Sequence, residues 1–91
     1  MPTLNPDIAD EVPWSDTITD YDVDHLVTYL RLLDAEEDQA DWRDVAKIVL
    51  HRDPDLDPQL TQRCWEAHLK RARWMTVSGY RHLLIRAAAN S

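Results

Sequence analysis

The sequence contains one pair of side chains with the spacing of half a zinc site. Cys64 and His68 are four residues apart, so on a helix they lie on one face, where a thiolate and an imidazole could both bind a metal ion. Two further ligands would have to come from His25, His51 or His82, none of which belongs to a paired motif. A buried thiol and a hydrogen-bonded histidine are the commoner arrangement on an apolar face. We therefore expect no metal site.

The run Asp53-Pro-Asp55-Leu-Asp57 alternates acidic residues as a calcium-binding loop does. Such a loop needs a glycine at its sixth position and a bidentate glutamate at its twelfth. Counted from Asp53, those positions hold Pro58 and Cys64. The run therefore predicts a turn between two helices and no calcium site.

No catalytic framework accompanies these residues. The sequence has no glycine-rich phosphate loop, no nucleophile motif and no paired acid and base. Cys64 and His68 could be imagined as a thiolate pair, but no third group is evident that would orient the histidine. We expect the protein not to be an enzyme and to need no cofactor.

Composition favours one small helical domain. The chain has 91 residues and a formal net charge of −7, and this length leaves room for one core. One glycine and no phenylalanine argue against a turn-rich β-sheet fold. A single cysteine cannot form an internal disulfide, and no apolar run approaches the ~18 residues of a membrane span. We expect an all-α, monomeric, cytoplasmic protein without a membrane segment.

Residues 1–18 are predicted to form an acidic, proline-bearing arm that is flexible in part. Pro2, Pro6 and Pro13 interrupt any helical period. Trp14 is the exception within the arm, because a tryptophan is unfavourable in a disordered tail. We expect its indole to pack back onto the domain.

Residues 19–90 are predicted to form a single helical domain, with helices over about 20–36, 41–51, 58–78 and 80–89. The residues suited to begin or end these helices are Thr19, Asp41, Asp57 with Pro58, and Gly79. The second and third helices are separated by a long connection. This pattern predicts an extended-turn helix-turn-helix.

Charge is distributed unevenly along the chain. Residues 1–58 contain sixteen acidic and four basic residues, a net charge of −12, whereas residues 59–91 contain one acidic and six basic residues, a net charge of +5. The acids near the helix-turn-helix connection are Asp41, Asp44, Asp53, Asp55 and Asp57. Their carboxylates would repel phosphates, so we expect no DNA binding and a DNA-excluding acidic surface.

The third predicted helix nevertheless has a mostly basic side. Arg63, Lys70 and Arg73 lie on it, and each could contact a nucleic-acid backbone. Three functions therefore stay open: a protein-binding regulatory module, a DNA-binding helix-turn-helix regulator that uses this helix, and an acidic inhibitor that occupies a basic groove.

Three stretches carry a resemblance to a known family: Tyr21–Ala35, Ala40–Ala46 and Arg73–Leu84. They resemble a proteobacterial family long catalogued as a domain of unknown function, and within it the QseM-type antiactivators of integrative and conjugative elements. The resemblance covers roughly residues 20–86. It implies an extended-turn helix-turn-helix that binds DNA in activators of the FseA type.

The lone-domain antiactivators of this family carry a negative surface instead, which matches the short, acidic chain. The resemblance implies that the protein binds the N-terminal companion domain of such an activator, and also a TraR-type quorum-sensing regulator, and so represses excision and conjugative transfer. Large apolar side chains away from the predicted core stripes are the docking candidates, with core packing as the alternative for each of them, since so small a domain needs several large side chains inside. The candidates are Trp14, Tyr29, Leu32, Trp74 and Tyr80.

Overall fold

The computed structural model describes residues 8–77 together with Tyr80 and Leu83. This part of the chain is helical and contains no strand, which confirms the all-α prediction. The helices are α1 (Asp20–Asp24), α2 (Leu26–Glu37), α3 (Trp42–Ile48) and α4 (Pro58–Val77). The predicted helix over 80–89 and the Gly79 cap lie outside the described residues except for Tyr80 and Leu83.

The first predicted helix is divided at His25. Thr19 and Asp22 form a reciprocal capping box that starts α1. At His25 the backbone leaves helical geometry, with φ −111° and ψ 18°. The His25 Nδ1 lies 2.6 Å from the Tyr21 carbonyl oxygen, and its ring stacks on Tyr21 with 3.7 Å between centroids. These side-chain contacts separate α1 from α2, a feature that apolar spacing does not indicate.

Asp41 is the N-cap of α3, as predicted. Its carboxylate accepts a hydrogen bond from the Arg43 backbone N–H at 3.2 Å. The helix ends at Ile48, and residues 49–57 connect it to α4. Within the connection the Asp53 carboxylate accepts from the Asp55 backbone at 2.9 Å. The Asp57 carboxylate accepts from the Leu60 backbone at 3.1 Å and caps α4. The two helices and their long connection form an extended-turn helix-turn-helix.

Helix α4 runs through the centre of the domain. Its buried face, which includes Cys64, His68, Ala72 and Met75, packs against α2 and α3. The opposing side chains from α2 and α3 include Leu26, Val27, Tyr29, Leu32 and Val45. None of the helices that the structure describes is long and apolar enough to cross a membrane.

One buried ion pair connects α1, α4 and the N-terminal segment (residues 8–18). The Arg71 and Asp22 side chains are both 0% exposed, and an Arg71 Nη2 lies 2.6 Å from Asp22 Oδ2. The remaining Arg71 donors reach the carbonyl oxygens of Ser15 at 2.7 Å and Thr17 at 3.0 Å. The guanidinium carbon lies 3.7 Å from the centroid of the Trp74 ring. Arg71 thereby joins α4 to two neighbouring parts of the chain, the N-terminal segment and α1, that lie about fifty residues earlier in the sequence.

Asp22 remains ionised in this environment. Burial by itself would raise the pKa of its carboxyl group, but hydrogen bonds from Arg71, Thr19 and Tyr29 outweigh burial and hold that pKa below its usual value. No buried side-chain nitrogen or oxygen among the described residues lacks a hydrogen-bond partner. The charged group is therefore fully compensated in the core.

Arg71→Ala should lower the free energy of unfolding by about 3–5 kcal/mol, because it leaves the Asp22 carboxylate buried without its counter-ion. Arg73→Ala is the matched control, since Arg73 lies two residues away and pairs with Glu36 at the surface, where a pair contributes about 0–1 kcal/mol. Urea denaturation of both variants measures the difference. Equal losses would contradict a structural role specific to Arg71.

Candidate functional site

The solvent-exposed face of α4 is a continuous polar stripe. Its members recur at helical spacing opposite the buried face and are Gln59, Gln62, Arg63, Glu66, Lys70 and Arg73. We call this set the α4 stripe. It contains three cations and one anion, so its net charge is positive although that of the whole chain is −7. The connection from α3 leads directly to its N-terminal end.

The three cations of the α4 stripe differ in their contacts. Arg73 donates from Nε to a Glu36 carboxylate oxygen at 3.1 Å. The Lys70 ammonium lies 5.4 Å from the centroid of the Trp14 ring, within the range of a cation–π contact. No ion pair joins Arg63 to any residue in the part of the chain that the structure describes. Arg63 is therefore the cation of the stripe that is most available to an external anion.

Sequence reasoning identified the charged members of this stripe but attached no function to Gln59 and Gln62. Both lie in the first two turns of α4 and are exposed. The signal that could have singled them out is their position, because the first turns of the second helix of a helix-turn-helix face the base edges of DNA.

The five aspartates predicted to form an acidic surface all lie at the exterior of the described domain. All five carboxylates are exposed: Asp41, Asp44, Asp53, Asp55 and Asp57. Three of them also stabilise local structure, since Asp41 and Asp57 cap helices and Asp53 closes a turn. These three positions therefore have a structural role in addition to their charge.

Three of the predicted docking residues meet in one cluster. Trp14 packs edge-to-face on Trp74 with 5.9 Å between ring centroids, and Trp74 lies 5.5 Å from Tyr80. Trp14 remains 52% exposed, while Trp74 and Tyr80 are half-buried. The prediction that Trp14 packs back onto the domain is confirmed. We call these three residues the aromatic cluster.

Tyr29 and Leu32, the other two docking candidates, lie in the core. They are 0% and 1% exposed, so neither can contact a partner in this conformation. The Tyr29 hydroxyl donates to Asp22 at 2.8 Å, and Leu32 packs within the main cluster. The helical wheel placed them beside the core stripe, but α2 is covered on more than one side, which widens its buried face.

Cys64 and His68 are neighbours, with 3.7 Å between the Cys64 Sγ and the His68 Nδ1, and their polar atoms also have further partners. The His68 Nδ1 lies 2.7 Å from the Cys64 carbonyl oxygen, and its Nε2 lies 2.5 Å from the Tyr21 hydroxyl. That hydroxyl also accepts a hydrogen bond from the Ala9 backbone at 3.1 Å. Within the described residues no group of three or more metal-ligating side chains could hold an ion. The histidine thus links α4 to α1 and the N-terminal segment.

His68 is held in its neutral form. Burial lowers the pKa of its imidazole to about 4 from the usual 6.5, despite a hydrogen bond to the Cys64 carbonyl that opposes the shift. In the unfolded chain the imidazole takes up a proton near pH 6.5, whereas in the folded protein it does so only near pH 4. Acidification through this interval therefore favours the unfolded state.

We expect the free energy of unfolding to fall by about 3 kcal/mol between pH 6.5 and pH 4 because of His68. His68→Gln should flatten this part of the stability curve, whereas His51→Gln, at an exposed position, should leave it unchanged. Urea denaturation at half-unit pH intervals measures the three curves. Parallel curves for all three proteins would contradict the assignment to His68.

Comparison with known families adds one decisive observation. A family model described as "T6SS, Transcription factor, DNA binding domain" (RovC DNA-binding domain) matches residues 4–85. The chain belongs to this family. The match covers the helix-turn-helix, the N-terminal segment and the whole α4 stripe. No curated protein matches the chain.

Family membership corrects the expectation about DNA binding and supports the general class of protein that the resemblance implied. The expectation of no DNA binding is wrong at the level of the family, whose description is a DNA-binding domain. That expectation depended on the carboxylates around the helix-turn-helix connection, whereas the exposed face of α4 beside them is net positive. The family match supports the resemblance only in that the chain is a small regulatory domain of DNA-binding type. Transcription regulation is the activity class that the family describes.

Proposed function

We propose that the protein is the DNA-binding module of a transcription regulator and that α4 is its recognition helix. The observation that carries this proposal is the α4 stripe, a polar and net positive face exposed at the second helix of a helix-turn-helix. The family description supports it. Because α3 packs against the buried side of α4, it supports the helix from behind and does not cover the stripe.

The side chains along the stripe change in type from one end to the other. The first two turns hold Gln59, Gln62 and Arg63. Glutamine can donate and accept with the N6 and N7 of adenine, and arginine can donate twice to the O6 and N7 of guanine. These residue types suit base edges in the major groove.

The later turns of the stripe hold Lys70 and Arg73, which suit phosphates. A helix of 20 residues is about 30 Å long, so its two ends can contact different parts of a duplex. We assign base contacts to its first turns and backbone contacts to its second half.

The acidic surface sets the electrostatic character of this binding. Carboxylates at the start of α3 and in the connection face solvent near the N-terminal end of α4 and repel phosphates. Sequence-independent binding depends on phosphate neutralisation, so it should be weak in this protein. Base contacts must then contribute a larger share of the affinity.

Gln62→Ala should relax base preference at one position of a duplex selected from random sequences, by about 1–3 kcal/mol, because it removes a base contact. Lys70→Ala should weaken binding to all sequences alike and reduce the log–log salt slope by about one. Fluorescence anisotropy at several salt concentrations measures both effects.

Arg31→Ala removes an exposed cation on α2 and serves as the control, with little change expected in affinity. Absence of duplex binding by the unaltered protein at low salt would refute the proposed function.

The aromatic cluster favours a second candidate function, that of an antiactivator which docks on another regulator. Trp14 is half-exposed beside Trp74 and Tyr80, and tryptophan and tyrosine are common anchors of protein interfaces. The partner would be the N-terminal companion domain of an FseA-type activator, or a TraR-type regulator. Such binding would repress the excision and transfer of a mobile element.

Trp14→Ala should weaken capture of that companion domain at least about tenfold if the aromatic cluster is the docking surface. The double variant Asp53→Asn with Asp55→Asn should leave capture nearly unchanged, because the aromatic cluster is intact. The same variant should strengthen duplex binding, because it removes two negative charges. Isothermal titration at two salt concentrations separates the two functions. Loss of capture in the Asn variant would instead indicate docking through the carboxylates.

A further inference from the structure

The N-terminal segment (residues 8–18) lies along the flank of α4 and follows it in the same direction. Near its start, the Cys64 thiol donates to the Ala9 carbonyl oxygen at 3.5 Å. Near its end, Arg71 donates to the Ser15 and Thr17 carbonyl oxygens. The segment therefore spans about two turns of α4, from Cys64 to Arg71, next to the exposed stripe.

The acidic part of the segment shares a groove with the most available cation of the stripe. Asp10, Glu11 and Val12 line one side of this groove, and Leu60, Arg63 and Ala67 of α4 line the other. Glu11 is exposed, and no ion pair joins it to another residue within the described ranges. Asp10 forms an ion pair with Arg52 at 2.7 Å, which makes the Arg52 guanidinium less available to external anions.

The same segment also covers Lys70. The Trp14 ring lies 5.4 Å from the Lys70 ammonium and 4.8 Å from the Arg71 guanidinium carbon. Arg52 and Lys70, on or beside the proposed DNA-binding face, thus each contact a group of the N-terminal segment, and Arg63 shares a groove with its carboxylates. A phosphate that approaches any of these cations has to compete with the segment.

The backbone of the segment is anchored at both ends, and side chains alone hold it between them, through the Asp10–Arg52 ion pair and the packing of Trp14. Arg52 donates to the Ile8 carbonyl oxygen at 2.6 Å, and Arg71 holds Ser15 and Thr17. Between these anchors, no hydrogen bond joins the backbone of residues 10–14 to the rest of the described chain. A stretch with few backbone bonds opens at low free-energy cost, so it can move away without unfolding the core.

We infer that the N-terminal segment is a built-in competitor of DNA for α4. Asp10 pairs with Arg52, Trp14 covers Lys70, and Glu11 repels phosphates that approach Arg63. Displacement of residues 10–14 exposes the full positive face. Such competition presupposes that α4 binds DNA, as proposed above. It lowers affinity for every sequence, so a duplex with the matching bases displaces the segment at a lower concentration than other duplexes do.

The test measures duplex affinity after removal of the competing charges alone. Glu11→Gln breaks no described ion pair and should raise affinity roughly twofold, the effect of one charge at a distance near the Debye length. Asp10→Asn with Glu11→Gln also frees Arg52 and should raise affinity roughly fourfold to tenfold. The probe is a duplex selected from random sequences, and fluorescence anisotropy measures binding.

Asp24→Asn with Glu37→Gln is the matched control, because it removes one exposed aspartate and one exposed glutamate outside the segment. It changes net charge by the same amount and should raise affinity less than about 1.5-fold. An equal gain in the control, or no gain in the Asp10 and Glu11 variants, would overturn the competition while leaving DNA binding established. If no protein in the series binds duplex at low salt, both the competition and the proposed DNA-binding function are refuted.

Discussion

The buried pair of Arg71 and Asp22 is the interaction on which the rest of the structure depends. Two opposite charges are taken out of water, which is favourable only when hydrogen bonds satisfy the remaining donors and acceptors. The structure meets this condition with Thr19, Tyr29 and two backbone carbonyls of the N-terminal segment. The pair therefore requires α1, α4 and the segment to be present together.

This requirement orients α4. Because Arg71 points towards α1 and the N-terminal segment, the opposite face of the helix has to meet solvent. That face is the α4 stripe, which carries the base-reading and phosphate-binding residue types. A buried network in the core thus determines which face of α4 is available to a nucleic acid, and His68 strengthens the same arrangement through Tyr21 and Ala9.

Charge has two different roles in the molecule. Three carboxylates of the acidic surface cap helices or close the connection, and all five would oppose phosphates that the proposed DNA-binding stripe attracts. A balance of this kind suits a regulator that must ignore most DNA, since weak phosphate attraction leaves discrimination to base contacts. The net charge of −7 averages over both surfaces and describes neither.

The sequence by itself determined the helical class, the N-caps at Thr19, Asp41 and Asp57, and the helix-turn-helix, because these depend on local hydrogen bonds and apolar spacing. Tertiary structure decided what spacing cannot encode: the break at His25, the burial of Tyr29 and Leu32, and the partner of Arg71. The break at His25 accompanies the contacts of its ring with Tyr21, whereas the burial of Tyr29 and Leu32 and the Arg71 ion pair depend on contacts between residues far apart in the chain. For the same reason, the position of the acidic segment beside Arg63 became visible only in the fold.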